Sequence, residues 1–291
     1  MCYKELWQCL TKVYDEGEAK AIARMTYEER FGLTLSDIYL GKDTQLSADC
    51  QAELEEIAKR LLQGEPIQYV LGHADFCGRT FLVNEHVLIP RPETEELCQW
   101  IFTQKEPSLL CKILDIGTGS GCIAITLAAE MPQAEVTAWD ISPDALEVAR
   151  ENARLNNVHV SFEQVDALNS QFSILNSQFD LIVSNPPYIC NKEREAMEPN
   201  VLEHEPHTAL FVPDDDPLLF YRAIAQYGHT ALKDGGWLYF EINPLYAKDI
   251  CNMLGAMSYH DIETKTDQYG KQRMIRAMKD ERLKMKDENR E

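Results

Sequence analysis

The chain has 291 residues, 45% of them hydrophobic, enough to bury one large α/β domain and a smaller one beside it. A formal net charge of −20 argues against a general nucleic-acid binder, because phosphate neutralisation needs clustered Lys and Arg; a local basic patch is still compatible with that total. No apolar run approaches the ~20 residues of a membrane span, the start Met1–Leu6 lacks a signal-peptide layout, and nine cysteines contain no Cys-x-x-Cys, so neither a membrane anchor, a zinc site nor a disulfide framework is expected and the cytoplasm is the expected address.

Residues 1–65 predict a small helical domain, with helices over 3–13, 19–31, a short piece near 36–39, and 48–62. The last is the clearest. Leu54, Ile57, Ala58, Leu61 and Leu62 recur on one helical face, Ser47 can serve as N-cap, and Gly64 stands where a left-handed residue ends a helix. Such a bundle ahead of an α/β domain reads as a docking module or as a plain stabilising extension. Residues 66–90 follow as a β-hairpin linker: Ile67, Tyr69 and Leu71, then Phe81 and Val83, alternate, with Gly72 and Gly78 as punctuation. Pro92 then opens a helix whose first turn carries Glu93, Glu95 and Glu96. Its bland reading is an acidic helix start; the sharper one brings Arg91 and Glu93 to the mouth of a pocket.

From 91 to 279 strands alternate with helices. Strands are predicted over 112–116, 135–139, 158–164, 179–184 and 237–242, helices over 120–130, 143–156, 217–232 and 244–257, and two closing strands near 259–264 and 273–278. The alternation predicts an α/β doubly wound sheet, mostly parallel. No helix separates the closing pair, so the last strand is expected to be antiparallel. A mixed charge run over 280–291 predicts a solvated tail.

Four places on these strands carry chemistry. The turn Asp115-Ile-Gly-Thr-Gly-Ser-Gly121 follows a strand and opens a helix; its glycines let backbone approach a ligand, but Cys122 replaces the third glycine of the dinucleotide fingerprint, and a phosphate cradle or mere tight packing stay open as readings. Asp140 ends the next strand roughly twenty residues on, the place for a carboxylate accepting ribose hydroxyls. Asp166 follows the third strand and suits an adenine amino group or, equally, an ordinary loop. The run Phe179–Ser184 empties into Asn185-Pro-Pro-Tyr188. Pro186 and Pro187 stop both helix and ladder and remove two N–H donors, which leaves a turn rich in acceptors. The Asn185 side-chain oxygen and the Pro186 carbonyl can both accept from an incoming –NH2 group, and Tyr188 offers a flat face to a planar one. Alone, this is also a common way to end a strand.

Taken together, these motifs resemble class I S-adenosylmethionine-dependent methyltransferases that modify –NH2 nitrogens, whose sheets often end with an antiparallel strand. Gly64-Glu-Pro-Ile-Gln-Tyr69, Leu88-Ile-Pro-Arg-Pro-Glu-Thr-Glu95, Asp115–Gly121, Ser184–Ile189 and Glu205-Pro-x-x-Ala-Leu210 fall in the order and spacing of the HemK/PrmC family, the peptide chain release factor N5-glutamine methyltransferases, over essentially the whole chain. The resemblance implies a class I methyltransferase fold after a helical domain that helps dock the release factor. It implies S-adenosyl-L-methionine as cofactor, with S-adenosyl-L-homocysteine as product, held by Asp115, Gly117, Thr118, Gly119, Ser120, Gly121, Asp140, Ile141, Asp166, Ala167 and Asn185. Catalysis is expected of Asn185, Pro186, Pro187 and Tyr188, with Arg91 and Glu93 also binding substrate, and no metal is expected. One departure is Ala167, where the family often has an aromatic residue. The expected partner is a release factor met by a monomer, without membrane or direct nucleic-acid contact.

Alternatives are a ribosomal-protein glutamine methyltransferase, chemically identical, and a nucleic-acid amino-methyltransferase, which needs a basic channel that this sequence does not display. A non-catalytic binding module would show degraded motifs. A nicotinamide oxidoreductase accounts for the glycines and Asp140 but leaves Asn185–Tyr188 unexplained.

Overall fold

The structure, a computed structural model, describes residues 1–103, 111–169 and 178–279; the predicted tail over 280–291 lies outside the described residues. Contacts divide the chain into two units, Met1–His73 with Met197–His204, and Ala74–Ala196 with Glu205–Glu291.

The first unit contains α1 (Tyr3–Leu10), α2 (Glu16–Met25), α3 (Leu35–Tyr39), α4 (Ala48–Leu62) and α5 (Ile67–Leu71). Asp15 caps α2 by accepting the Glu18 N–H at 2.9 Å, and Ser47 caps α4 by accepting the Cys50 N–H at 3.2 Å. The helix predicted over 19–31 loosens after Met25 into a π-type turn, Thr26–Arg30. Leu6, Leu10, Ala23, Tyr27, Leu54 and Leu61 form the buried centre. The Tyr27 hydroxyl donates to the Met1 carbonyl at 3.0 Å, which gives that buried phenol a partner.

The predicted linker needs one correction: Ile67–Leu71 is a helical turn rather than a strand. Pro66 stands at its N-cap and Gly72, at φ 82°, ends it in the left-handed region. Arg60 of α4 donates to the Tyr69 and Val70 carbonyls at 3.1 and 3.3 Å, satisfying acceptors that a helix end leaves open. Three apolar residues within one turn bury in helix or strand alike, so their spacing could not decide between the two.

The hairpin itself is shorter, β1 (His73–Phe76) and β2 (Arg79–Leu82), closed by Cys77 and Gly78, both at positive φ. Then come α6 (Pro92–Phe102), β3 (Lys112–Ile116), α7 (Cys122–Glu130), β4 (Glu135–Asp140), α8 (Pro143–Leu155), β5 (Ser161–Gln164) and β6 (Phe179–Ser184). Next are β7 (Ile189–Cys190), α9 (Pro199–His204, grouped with the first unit), α10 (His207–Leu210) and β8 (Phe211–Val212). The chain continues through α11 (Leu219–Ala231), β9 (Leu232–Glu241), α12 (Ala247–Ala256), β10 (Tyr259–Thr266) and β11 (Gln272–Lys279). The strand predicted from 158 starts only at Ser161, and the one predicted from 237 starts already at Leu232.

The main sheet has seven strands in the order β10-β11-β9-β6-β3-β4-β5. Those from β9 to β5 are parallel, and β11 runs antiparallel to both β9 and β10. The sequence predicts that reversal, because the short turn between β10 and β11 leaves no room for a crossover. Ile113, Val183 and Tyr239 face one core while Leu114, Ile182 and Phe240 face the other, as strands covered on both sides require. From β3 the chain runs outward through β4 to β5, then returns to β6 on the opposite side. The carboxyl ends of β3, β4 and β6 therefore surround a topological switch point, where open α/β sheets bind ligands.

Candidate active site

A cavity of about 410 Å³ lies at that switch point, walled by the loops after β3, β4, β5 and β6 and by residues from His86 to Thr94 and Pro206 to Phe211. Its floor is the glycine turn. Gly117 and Gly119 have φ of 75° and 54°, and a Cβ on either would meet nothing within 4 Å, so backbone there borders open space. Thr118 and Ser120 join them on the wall. Gly121 does not: a Cβ there would stand 2.8 Å from Ile125 Cδ1 and 3.2 Å from the Ala149 Cβ. Its smallness serves the contact between α7 and α8, and it is not among the cavity-lining residues. Asp115 also lies behind the wall, fully buried, its Oδ2 accepting the Thr118 hydroxyl at 2.6 Å. Burial raises its carboxyl from the ordinary 3.8 to about 7, against the lowering effect of that hydrogen bond.

Asp140 stands on the wall at the end of β4. Its Oδ1 accepts the Ser142 N–H at 2.9 Å and its Oδ2 the Gly119 N–H at 2.8 Å. Burial raises its pKa and these backbone donors lower it. The Ile141 N–H is a third backbone donor to this carboxylate, so one of its four lone-pair sites stays open to a hydroxyl. Ile141, 55% exposed, follows it, and Val165, Asp166 and Ala167 complete that side. Asp166 Oδ1 accepts the Leu168 N–H at 2.9 Å, which holds the loop after β5.

Asn185, Pro186 and Pro187 form the wall after β6. Tyr188, next in sequence, is not among the cavity-lining residues. Its ring packs against the core that includes Tyr221 and Leu238, and its hydroxyl donates to Glu241 Oε1 at 3.1 Å. Asn185 Nδ2 donates to Thr94 Oγ1 at 3.2 Å, and the Thr94 hydroxyl donates to Glu241 Oε2 at 2.6 Å. Arg91 is on the wall and ion-paired to Glu205, whose side chain is wholly buried and also accepts the Ile89 N–H at 3.2 Å. Glu93 is off the wall, in the first turn of α6.

Thr94, Glu205 and Glu241 are thus site residues that reasoning from the sequence missed. A carboxylate closing the apolar run Trp237–Glu241 was the available signal, since a buried charge needs partners. Thr94 sat among glutamates that already explained themselves as helix-start charges.

One family model, described as "PrmC N-terminal domain", matches residues 4–72, and another, "Methyltransferase small domain", matches 100–206. The chain is 48% identical over 270 residues to the release factor glutamine methyltransferase of Bacteroides thetaiotaomicron, covering 93% of this chain and 96% of that one. It is 44% identical over 278 residues to the Flavobacterium psychrophilum protein of the same name, covering 93% and 95%. Among solved structures, a methyltransferase from Pyrococcus furiosus superposes with a TM-score of 0.52 at 16% identity, over 80% of this chain and all of that one (100%). A T. thermophilus 16S rRNA methyltransferase solved with AdoMet and guanosine gives 0.50 at 18% identity, over 71% and 49%. At such identities the likeness is one of fold.

Proposed function

Because this chain belongs to the release factor glutamine methyltransferase family, we propose that its cavity takes S-adenosylmethionine and the glutamine of a Gly-Gly-Gln loop of a peptide chain release factor, and methylates the N5 amide nitrogen. The observation that carries this reading is that Asn185 shares one cavity with Gly117, Gly119 and Asp140. An amide acceptor and a nucleoside cradle open on the same space.

The residues fit that cofactor. Backbone at Gly117 and Gly119 borders open space, Asp140 keeps an open lone-pair site for a ribose hydroxyl, and Ile141, Val165 and Ala167 give an apolar wall beside the Asp166 acceptor for adenine. S-adenosylmethionine, when bound, supplies an electrophilic methyl group on a positively charged sulfur and leaves as S-adenosylhomocysteine.

The protein's task is to make a poor nucleophile attack. An amide nitrogen shares its lone pair with the carbonyl, so orientation and dehydration must do the work. Asn185 Oδ1 and the Pro186 carbonyl accept the two N–H hydrogens and aim the nitrogen, which, cationic once methylated, loses one of these protons to water. Pro187 keeps the turn rigid, and Arg91, held on the cavity wall by its ion pair with Glu205, orients the incoming loop. Tyr188 acts from behind the wall through Glu241. The helical segment 1–65 docks the release factor, a reading supported by the family model matched there. We place the enzyme in the cytoplasm as a monomer without direct nucleic-acid contact, in keeping with its charge of −20. No helix among the described residues is long and apolar enough to cross a membrane.

The test incubates the protein with methyl-labelled S-adenosylmethionine and, separately, an unmodified release factor, ribosomal proteins and duplex DNA, and maps the label by mass spectrometry. One methyl on the glutamine of the Gly-Gly-Gln loop is the expected result. Label on DNA or on a ribosomal protein alone overturns the substrate.

A further inference from the structure

The amide of Asn185 could present either of its ends to the cavity. Its NH2 and its oxygen fill nearly the same volume, so packing does not distinguish them; hydrogen-bond polarity does. The polarity here is set two side chains away. Glu241, 2% exposed, can only accept when ionised, and both its oxygens are engaged, Oε2 by the Thr94 hydroxyl at 2.6 Å and Oε1 by the Tyr188 hydroxyl at 3.1 Å. Thr94, also 2% exposed, has one proton and gives it to Glu241. What remains on Thr94 Oγ1 is a lone pair, and this accepts Asn185 Nδ2 at 3.2 Å.

We propose that Thr94 and Glu241 are positioning residues that fix the Asn185 amide with its NH2 toward Thr94, so that its oxygen is offered to the substrate. The proposal rests on the reading of Asn185 as the acceptor of the substrate –NH2. Burial raises the Glu241 pKa, while the Thr94 and Tyr188 hydroxyls and Arg273 favour its ionised form; ionised, it is acceptor-only and makes Thr94 a donor toward Glu241 and an acceptor toward Asn185. Glutamine at 241 would remove that direction. Its NH2 can donate to Thr94, which then turns its proton on the Asn185 oxygen, and the reversed amide offers hydrogens to a substrate that also offers hydrogens. Tyr188 keeps Glu241 from turning away by occupying its second oxygen.

A buried carboxylate, a hydroxyl and an amide in contact could also be a structural cluster alone, so the test needs a readout that stability does not move. Thr94→Val, Thr94→Ser, Glu241→Gln, Asn185→Ala and the Thr94→Val/Asn185→Ala pair are compared by kcat and KM for release factor and by calorimetric affinity for S-adenosylmethionine. Thr94→Val and Glu241→Gln should each lower kcat by roughly ten- to a hundredfold while cofactor affinity stays within about twofold. Thr94→Ser, which keeps the hydroxyl, should recover most of that loss. In the Asn185→Ala background, Thr94→Val should cost little more, because the group it orients is gone. Equal cost in both backgrounds, or a Thr94→Val enzyme with native kcat, overturns the relay. Should Glu241→Gln not fold, the valine-to-serine contrast and the double mutant decide alone. Native activity in Asn185→Ala by itself would instead remove the assignment of Asn185 on which the relay depends, and that outcome is separable from the others.

Discussion

Asp140 Oδ2 accepts the Gly119 N–H at 2.8 Å, so the acidic end of β4 and the glycine turn after β3 are held as a single piece. Asp140→Ala should therefore damage the site twice, by removing the acceptors for the ribose and by releasing the turn. We expect S-adenosylmethionine affinity to fall by roughly 2 to 4 kcal/mol, with Asp140→Asn, which keeps one acceptor oxygen, closer to the lower figure. Calorimetric titration measures both; unchanged affinity in the alanine variant would contradict the assigned role.

Gly119 and Gly121 should respond differently to alanine. At Gly121 the new methyl meets Ile125 Cδ1 at 2.8 Å on a backbone of φ 83°, so the expected cost is folding stability, about 2 to 4 kcal/mol. At Gly119 it meets open space at φ 54°, so stability should fall by only about 1 kcal/mol while cofactor affinity falls more steeply. Denaturant unfolding alongside ligand titration separates the two effects.

Asp115 predicts a pH dependence. Its folded carboxyl titrates at about 7 against an ordinary 3.8, because burial disfavours the charge and Asp140 adds repulsion. A group raised on folding lends stability below its unfolded value and withdraws it as pH rises through the folded one. The window runs from about pH 4 to about pH 7. Asp115→Asn, which cannot ionise, should therefore gain on the native protein as pH rises from 5 to 8, by on the order of 2 to 4 kcal/mol. Chemical denaturation at several pH values checks this, and a difference that does not vary with pH would contradict it.

Arg60 is a test of the first unit. Arg60→Met keeps the aliphatic stem but drops the donors that cap the Tyr69 and Val70 carbonyls, and also the ion pair with Glu65. We expect a loss of about 1 to 3 kcal/mol, with faster amide exchange localised to Ile67–Leu71. Exchange that accelerates uniformly across the first unit would argue that Arg60 does not act through that turn.

Much of this architecture was legible because regular alternation leaves marks. Val183 against Ile182, and Ser47 before an amphipathic run, announce a strand buried on both faces and a helix start from neighbouring residues alone. Ile67–Leu71 was not legible, since its conformation depends on a guanidinium from another helix. Nor were the short β7 and β8, two residues each, which have no periodicity to read. In the site, Asn185, Asp140 and Gly119 stood out through local motifs. Thr94 and Glu241 did not, as their meaning arises from a hydrogen bond across 147 positions of sequence.

The place of β11 has a consequence for how the chain is made. Met274 stands opposite Glu241, so the strand that carries the relay carboxylate acquires its second neighbour only from residues translated after every other strand of the sheet. Until Gln272–Lys279 leaves the ribosome, β9 is a nascent edge with unpaired amides and carbonyls, open to pairing with other chains. Completion of the sheet is thus a late event, and a ribosome stalled shortly before it would hold a chain with its glycine turn translated and β9 still an open edge.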